Sequence, residues 1–438
     1  MKMKINSITL SFIVLGLLTT CHVLAQTPEN KNASSDSLYR KIQVSFVPYV
    51  GTNGFMTNDV ICDISLNILA GSVKEVRSFE IGSLLNIVRG NAGKCQLSGI
   101  GNLVGGTSYG FQGAGTFNLA QKLQGVQVAG TLNFAGEASG VQISGLINHA
   151  TKGKCIQIAG IVNNASEASV FQISGLVNNT PNVENFQIAG LINNASKAGQ
   201  FQIAGLVNNT AGETGFQISG LVNNASKIKS FQIAGLVNNS EEVTGTQVSG
   251  LVNRTKILKG VQIGFLNITD SCVGIPIGVI SLVKNGYHKI EISADEMFYS
   301  NIAFRSGIKQ FHSIIMAGIK PDNFTPALWT YGCGAGSSFS LNGKTLFDID
   351  AVFQHIIKED NIGNNYLYKL SIGIDRQLWA KTSFYVGATY NFLVTDTKQN
   401  HYADKYSSIA PYHFTDKTYG GGFNLKTWAG FKVGLRFL

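Results

Sequence analysis

The chain has 438 residues, of which 44% are hydrophobic and only 13% are charged, with 50 Gly, 7 Pro and a formal net charge of +9. Much Gly with little Pro and few helix-like segments predicts an all-β protein. The basic residues form no Lys/Arg tract, and no pair of Cys has CxxC spacing, so we expect no nucleic-acid partner, zinc site or disulfide framework.

The N-terminus predicts an exported protein. Lys2 and Lys4 precede an apolar run, and "CHVLAQ" follows it with a cleavage site after Ala25. Residues 1–25 are therefore predicted to be a signal peptide. Cys21 leaves a lipoprotein as the alternative. No later stretch is apolar for long enough to predict a transmembrane helix.

A repeat dominates residues 60–286. Twelve copies carry a Gln after their first residue, spaced 16 residues apart once and 15 residues apart ten times, at Gln96, Gln112, Gln127, Gln142, Gln157, Gln172, Gln187, Gln202, Gln217, Gln232, Gln247 and Gln262. Degenerate copies lie at both ends, as expected for the caps of a stacked array.

Positions within a copy are numbered from Phe171, which is position 1. Phe171 and Ile173 alternate with Gln172, which is typical of a strand. Strict alternation would place Leu176 on the Gln side, but a corner at Gly175 would turn it inward. We therefore expect Phe, Ile and Leu to form the buried core, each contributing roughly 1.5–3 kcal/mol.

Two architectures fit this repeat. In a parallel β-solenoid, equivalent positions stack ~4.8 Å apart. Amide side chains would then form hydrogen-bonded ladders; the predicted members are Asn148, Asn163, Asn178, Asn193, Asn208, Asn223, Asn238 and Asn253, with Gln172, Gln187, Gln202, Gln217 and Gln232. The alternative is one large antiparallel meander or barrel with the repeats as membrane strands. Unbroken spacings of 15 favour the solenoid, because meander loops accept insertions freely.

Residues 287–438 are predicted to form a separate antiparallel domain of the outer-membrane barrel type. Eight alternating segments lie there, ending with "WAGFKVGLRFL", and short connections alternate with longer polar ones. The inward charges are expected to pair and fill the interior, and they are Glu291, Asp295, Arg305, Asp348, Asp350, Asp375, Lys432 and Arg436.

Residues 26–59 are predicted to be a linker and one strand. That strand, Ile42 to Thr52, could pair with the C-terminal domain and make the array an insertion. A ten-stranded barrel would recruit it together with Ile275 to Asn285. An eight-stranded barrel would follow a periplasmic array.

No motif predicts catalysis. The His residues have no companions at metal-ligand spacing, and the glycines of "GCGAG" lack the Lys of a phosphate loop. Asp348 and Asp350 share a strand face, where lining a polar interior is favoured over acid–base chemistry. The repeats from Phe171 to Gly235 carry only Glu184 and Glu213, which disfavours a carbohydrate-active enzyme. We expect no enzymatic activity, catalytic residue, metal or cofactor.

The units "GVQISGLIN", "FQIAGLVNN" and "GVQIGFLN" resemble those of a family of bacterial surface repeat-containing proteins found in Bacteroidetes and spirochaetes, and "KNGYHKIEISADEMFYSNIAFRSG" resembles the segment after the array in Bacteroidetes members. The resemblance implies a cell-surface or outer-membrane location. The resulting hypothesis is a structural or adhesive envelope protein of a Gram-negative bacterium. Outer-membrane lipid and an unknown surface ligand, protein or glycan, are its expected partners, and positions 9–15 are its contact surface. A membrane channel or transporter is the alternative.

Overall fold

The computed structural model describes residues 37–321, 328–358, 365–396, 410–420 and 422–437. The predicted signal peptide and Cys21 lie outside these residues. The predicted all-β fold class is confirmed, with a parallel β-solenoid of about 15 turns and a closed antiparallel barrel of 8 strands. The chain divides into two compact units, Met1–Gly205 and Leu206–Leu438.

The first unit contains solenoid coils and one short 3-10 helix at Gly54–Asp59. Its strands are β1 Leu38–Val47, β2 Val50–Gly51, β3 Val60–Asn67, β4 Ala70–Val73, β5 Glu75–Gly82, β6 Leu85–Val88, β7 Cys95–Ser98, β8 Gly101–Ser108, β9 Phe111–Ala114, β10 Phe117–Leu123, β11 Val126–Ala129, β12 Leu132–Ala138, β13 Val141–Ser144, β14 Ile147–Lys152, β15 Lys154–Ala159, β16 Val162–Ala165, β17 Ala168–Ser174, β18 Val177–Ala189, β19 Ile192–Ala198 and β20 Phe201–Ala204.

The second unit contains further coils, then the barrel. The coil strands are β21 Val207–Thr210, β22 Glu213–Ser219, β23 Val222–Ala234, β24 Val237–Val243, β25 Thr246–Ser249, β26 Val252–Leu258, β27 Val261–Cys272 and β28 Ile275–Val283. The others are β29 Tyr287–Asp295, β30 Ser300–Ile308, β31 Phe311–Lys320, β32 Leu328–Asn342, β33 Thr345–Lys358, β34 Asn365–Trp379, β35 Thr382–Asp396, β36 Thr415–Tyr419 and β37 Phe423–Phe437.

Each strand of a coil pairs in parallel with the equivalent strand of the next coil. Gln142 pairs with Gln157, and Asn148 with Asn163, one repeat apart. The antiparallel meander is therefore wrong for the array. A stack of coils cannot change length locally without shifting this register, which explains the constant period.

The direction of the side chains is the reverse of the expected one. Gln172 and Asn178 are fully buried, whereas Leu176 is 40% exposed, and Phe171 and Ile173 are only half-buried on the outside of the strand. Gly175 and Leu176 form a two-residue bend at which both residues face outward. The next inward residue is then Asn178, so the prediction of a Phe, Ile and Leu core is wrong.

Glycine at position 5 follows from the stacking. A Cβ on Gly175 would lie 2.1 Å from the carbonyl oxygen of Gly160, and one on Gly190 would lie 1.9 Å from that of Gly175. No side chain fits between carbonyl groups at that separation. The repeated Gly is therefore required by the close approach of adjacent coils.

Strand β1 belongs to the solenoid. It pairs in parallel with β3, with Ile42 opposite Ile64, so the expectation that Ile42 to Thr52 joins the C-terminal domain is wrong. The segment Ile275 to Asn285 is likewise no barrel strand, because β28 pairs in parallel with β27.

The barrel consists of β29 to β35 and β37, and it closes where β29 pairs antiparallel with β37. Three of its connections are two residues long, at 309–310, 343–344 and 380–381. The connections at the other end are longer. Strand β36 pairs only with β37, beyond the end of β29, and was not predicted.

Candidate functional site: amide ladders and an ion-paired barrel interior

Two columns of buried amides run through the coils of the first unit. The Asn column links each side chain to the next through Nδ2–H donated to Oδ1, at 2.8–3.0 Å, from Asn67 through Asn86, Asn102, Asn118, Asn133, Asn148, Asn163 and Asn178 to Asn193. The Gln column does the same through Nε2–H and Oε1 at 2.7–3.0 Å, along Gln96, Gln112, Gln127, Gln142, Gln157, Gln172, Gln187 and Gln202.

The second unit has the same columns. Asn208, Asn223, Asn238, Asn253 and Asn267 are linked at 2.9–3.0 Å, and Gln217, Gln232, Gln247 and Gln262 at 2.6–2.8 Å. The structure thus places every predicted ladder residue in one of the two columns.

The two columns donate in opposite directions. Asn163 donates to Asn178 in the following coil, whereas Gln172 donates to Gln157 in the preceding coil. Because the amide dipoles in one column oppose those in the other, the two ladders do not add to a large axial dipole.

Most inward Asn side chains and several inward Gln side chains also donate to the backbone. Asn178 Nδ2 donates to the carbonyl groups of Ile188, at 2.7 Å, and Gln172, at 3.3 Å. Gln187 Nε2 donates to the carbonyl group of Asn194 at 3.3 Å. A buried polar group without a partner costs ~1–3 kcal/mol, so these contacts make a polar interior stable.

The ladders end on side chains that accept. Glu80 occupies the Gln position of its coil and accepts from Gln96 Nε2 at 2.7 Å and from Asn67 Nδ2 at 3.0 Å. Burial raises the pKa of Glu80 to about 7, against the opposing effect of the hydrogen bond from Gln96. At the other end Asn267 donates to Ser281 Oγ at 3.4 Å. Sequence reasoning missed Glu80, although Glu in place of the repeated Gln is visible in "FEIG".

The end of the Gln ladder near the barrel is incomplete. Gln262 pairs with Pro276 of the next coil, and proline has no side-chain amide to donate. Within the described residues, Gln262 Oε1 accepts no hydrogen bond.

Small side chains and one further column complete the interior. Position 4 is Ala or Ser in eleven of the twelve copies, and position 10 is mostly Ala or Thr. The third strand contributes one inward residue per coil, among them Cys155, Val183, Ala198, Ile228 and Leu258. Burial raises the pKa of Cys155 to about 12, so its thiol is inert. All five described cysteines are free. Cys62 and Cys155 are buried, whereas Cys333 is exposed.

The barrel interior holds a connected set of charges. Arg305 binds Asp350 through both carboxylate oxygens, at 2.9 and 2.7 Å, and Glu291 at 2.8 Å. Arg436 binds Glu291 at 2.7 Å and Asp375 at 3.1 Å, and also contacts Asp348. The two arginines and their four carboxylate partners are all buried.

Lysines balance the remaining charge. Lys289 lies 2.8 Å from Asp375 and Lys432 lies 2.5 Å from Glu291. Lys369 and Asp295 form a separate pair nearer the long-loop end. The eight predicted inward residues are therefore all buried and ion-paired, as predicted. The side chain of Arg436 also lies 4.1 Å from the centre of the Tyr385 ring. These paired charges line the interior of the barrel.

Among the described residues, no group of three or more His, Cys, Asp or Glu side chains is arranged to hold a metal ion. Among the same residues, no helix is long and apolar enough to cross a membrane.

Fold and site together define the class of the molecule: an all-β repeat protein in which a parallel solenoid with amide ladders precedes a closed antiparallel barrel with an ion-paired interior. No protein-family model, curated protein or solved structure matches the chain. The resemblance to bacterial surface repeat proteins therefore stays a prediction.

Proposed function

We propose that the protein is a non-enzymatic component of a bacterial cell envelope, held in the outer membrane by its barrel, with the solenoid as a rigid structural element. One observation carries the proposal. The barrel is charged inside and apolar outside, the inverse of a water-soluble protein and the pattern of barrels that face lipid. Its exposed outward side chains include Ile302, Ile349, Leu370, Ile372, Ile374, Val386 and Leu435.

Aromatic side chains support the same proposal. Trp329, near the long-loop end, is 55% exposed, and Trp379, at the short-turn end, is 70% exposed. Exposed aromatic residues at both ends of an apolar band are typical of the interfaces of membrane barrels. The buried ion pairs favour an anchor over an open channel.

The junction between array and barrel supports a periplasmic array. The backbone N–H of Ser281, in β28, donates to Ser306 Oγ at 3.2 Å, and His288 Nε2 lies 2.7 Å from the carbonyl oxygen of Val283. These barrel residues lie at the short-turn end. In bacterial outer-membrane barrels the short turns face the periplasm, so the array would lie on that side. A structural role is then favoured over the adhesive one.

Insertion into lipid is tested by refolding the mature chain with phospholipid vesicles and floating them on a density gradient. Ile372 faces outward near the middle of β34. Ile372→Arg places a charge there, which is expected to destabilise the inserted barrel by roughly 2–4 kcal/mol and to prevent flotation. The matched control, Leu378→Arg, lies near the strand end, where the cost is roughly 0–1 kcal/mol. Wild-type protein that stays in the aqueous fraction, with no heat-dependent shift on a gel, would refute the membrane anchor.

The side of the outer membrane on which the array lies is tested by protease treatment of intact cells that express the protein with a tag near Ala211. Protection of the tag until the outer membrane is opened is the expected result. Cleavage in intact cells, with survival of the C-terminal fragment, would instead favour the adhesive role. Steady conductance in planar bilayers would favour the channel.

A further inference from the structure

The outer surface of the solenoid divides sharply into an apolar and a charged part. Positions 1–8 of the ten copies from Phe111 to Asn253 contain no charged residue. The acidic and basic side chains lie on the third strand and its corners, in pairs such as Lys122–Glu137 at 2.9 Å and Lys256–Glu241 at 2.7 Å. The inverted interior explains this division, because the large apolar residues of positions 1, 3 and 6 have nowhere to point but outward.

In the first unit, the residues at positions 1, 3 and 6 form what we call the apolar face. Its rows are position 1 (Val141, Ile156, Phe171, Phe186, Phe201), position 3 (Ile143, Ile158, Ile173, Ile188, Ile203) and position 6 (Leu146, Ile161, Leu176, Leu191). Eight of these side chains are 36–40% exposed, and the other six are half-buried.

The exposed area is large for a protein surface in water. With ~150–200 Å² for a whole large apolar side chain, the eight most exposed members leave roughly 500–600 Å² in solvent, and the half-buried ones bring the face to about 800 Å². The largest apolar patch on a typical monomer is ~300–600 Å². A stable interface buries ~800 Å² per partner, so the face has the area that a stable pair requires.

The face is also ordered with a fixed period. The rings of Phe171 and Phe186 stack with centroids 4.8 Å apart and planes 7° from parallel. Like side chains therefore form straight ridges along the array. Two copies of such a face have the same period, so the ridges of one can enter the grooves of the other in every coil, as in the dry interfaces between paired cross-β sheets.

We propose that the apolar face is the contact between two copies of this chain. Charge decides between this occupant and a lipid surface. Amphipathic elements that lie on anionic bilayers carry a fringe of Lys and Arg, whereas here the charges lie away from the face and are a mixture of Lys and Glu that includes the pairs Lys122–Glu137 and Lys154–Glu184. A face that binds itself forms a closed two-fold dimer. The inference concerns the array alone and does not rest on the membrane location of the barrel.

Energy transfer between two labelled populations of the full mature chain tests the pairing. The dye is placed at Ser196→Cys, outside the face, in a Cys333→Ser background, because Cys333 is the exposed native thiol; the background variant alone measures labelling of the other thiols. The populations are mixed before refolding into vesicles at high lipid dilution. Transfer that unlabelled chain competes away is expected.

Two variants make the test specific. Ile173→Glu/Ile188→Glu inserts charges into the face and should abolish energy transfer. Ile173→Thr/Ile188→Thr retains β propensity, and it should raise the protein concentration needed for transfer at least tenfold. The matched control, Ser166→Glu/Ser196→Glu in a chain labelled at Ser226→Cys, adds the same charge on the polar side and should leave transfer intact. Folding of each variant is checked by circular dichroism.

Three outcomes would overturn the proposal: no transfer from the wild-type chain, equal transfer in the Ile173→Glu/Ile188→Glu variant, or quenching of Ile188→Trp fluorescence by brominated lipid in a monomeric chain whose Trp329, Trp379 and Trp428 are replaced by Phe. The last result would assign the face to a lipid surface. Flotation reads membrane insertion separately, so a failure of the anchor and a failure of pairing are distinguishable.

Discussion

The side-chain amide of Gln96 donates a 2.7 Å hydrogen bond to the carboxyl group of Glu80, which is fully buried. Since the Gln column donates toward the N-terminus, its first member needs only to accept. One oxygen of the carboxyl group accepts from Gln96 and the other accepts from Asn67. Glu80 therefore ends the Gln ladder as its final acceptor. It also places an acidic group in the buried interior.

This arrangement predicts a pH-dependent stability of the first coils. Burial raises the pKa of Glu80 from 4.5 to about 7, so between those pH values the folded state holds a proton that the unfolded state has lost. Stability is greatest below pH 4.5 and falls by about 3 kcal/mol as pH rises through 7. Hydrogen exchange of peptides from residues 60–100, measured from pH 5 to 8, would detect the change as lost protection.

The variant Glu80→Gln should remove that pH dependence. The variant is expected to be less stable than wild type at pH 5 and at least as stable at pH 8, so the plots of stability against pH for the two proteins cross. Glu137→Gln is the control, because Glu137 lies on the surface in an ion pair with Lys122. An unchanged slope in Glu80→Gln would show that another group is responsible.

Neighbouring asparagines allow a test of the inverted interior. Asn178 is fully buried and donates to three acceptors, whereas Asn179 points outward to Asn164. Asn178→Ala should therefore cost about 2–5 kcal/mol, because it leaves buried carbonyl groups unpaired. Asn179→Ala should stay within about 0.5 kcal/mol.

The measurement is the thermal unfolding of the array followed by circular dichroism, with hydrogen exchange to locate the loss. Phe171→Ala is informative as well, since it should cost far less than the ~3–5 kcal/mol of a core Phe. Similar losses for Asn178→Ala and Asn179→Ala would contradict the assignment of the inside.

The sequence predicts the architecture better than it predicts which side is the inside. Constant spacing indicates stacking, and the alternating charges of Glu291, Asp348 and Asp350 indicate a polar barrel interior. Alternation within "FQIAG" fits either direction, however, and the general preference for burying Phe and Ile favoured the wrong one. The amides are favoured inside because stacked Gln and Asn continue hydrogen-bonded ladders from coil to coil, and that stacking is a tertiary property.

A signal for the true direction was nevertheless present. Gln occupies position 2 in every one of the twelve copies, whereas position 1 changes from Cys95 to Phe111, Val126 and Thr246. An inward amide must keep its size and its hydrogen-bonding pattern to continue a ladder from coil to coil, so an unchanging Gln indicates an inward position. The pairing of β1 with β3 had no such signal, because its register depends on contacts distant in sequence.

The buried hydroxyl groups of position 4 predict a substitution that stabilises. Ser174 Oγ, like Ser144 Oγ, has no hydrogen-bond partner among the described residues, while Ala189 fills the same position one coil later. Ser174→Ala removes an unsatisfied polar atom and should raise stability by up to about 1 kcal/mol. Ala189→Ser is the reverse control and should lower it. A loss of stability in Ser174→Ala would mean that the hydroxyl group has a partner.

The ion pairs of the barrel predict that removing one charge destabilises the barrel more than removing both charges of a pair. Arg305 is fully buried between Glu291 and Asp350. Arg305→Met removes the bidentate partner of the buried Asp350, whereas Glu291 keeps Arg436 and Lys432, and it should cost about 3–5 kcal/mol. Arg376→Met, on an exposed Arg of β34, should have little effect. Fluorescence of the buried Trp428 during urea unfolding reports on the barrel alone, because all three Trp lie in residues 287–438.

The double variant Arg305→Met/Asp350→Asn separates charge pairing from packing. If Arg305→Met is unstable because Asp350 is left buried without its cation, neutralising Asp350 should recover about 1–2 kcal/mol of the lost stability. Arg305→Lys should be intermediate, since it keeps the charge but cannot bind both oxygens of Asp350. If the double variant is as unstable as the sum of the single ones, the two residues act independently, and the charges cannot be what holds the barrel interior closed.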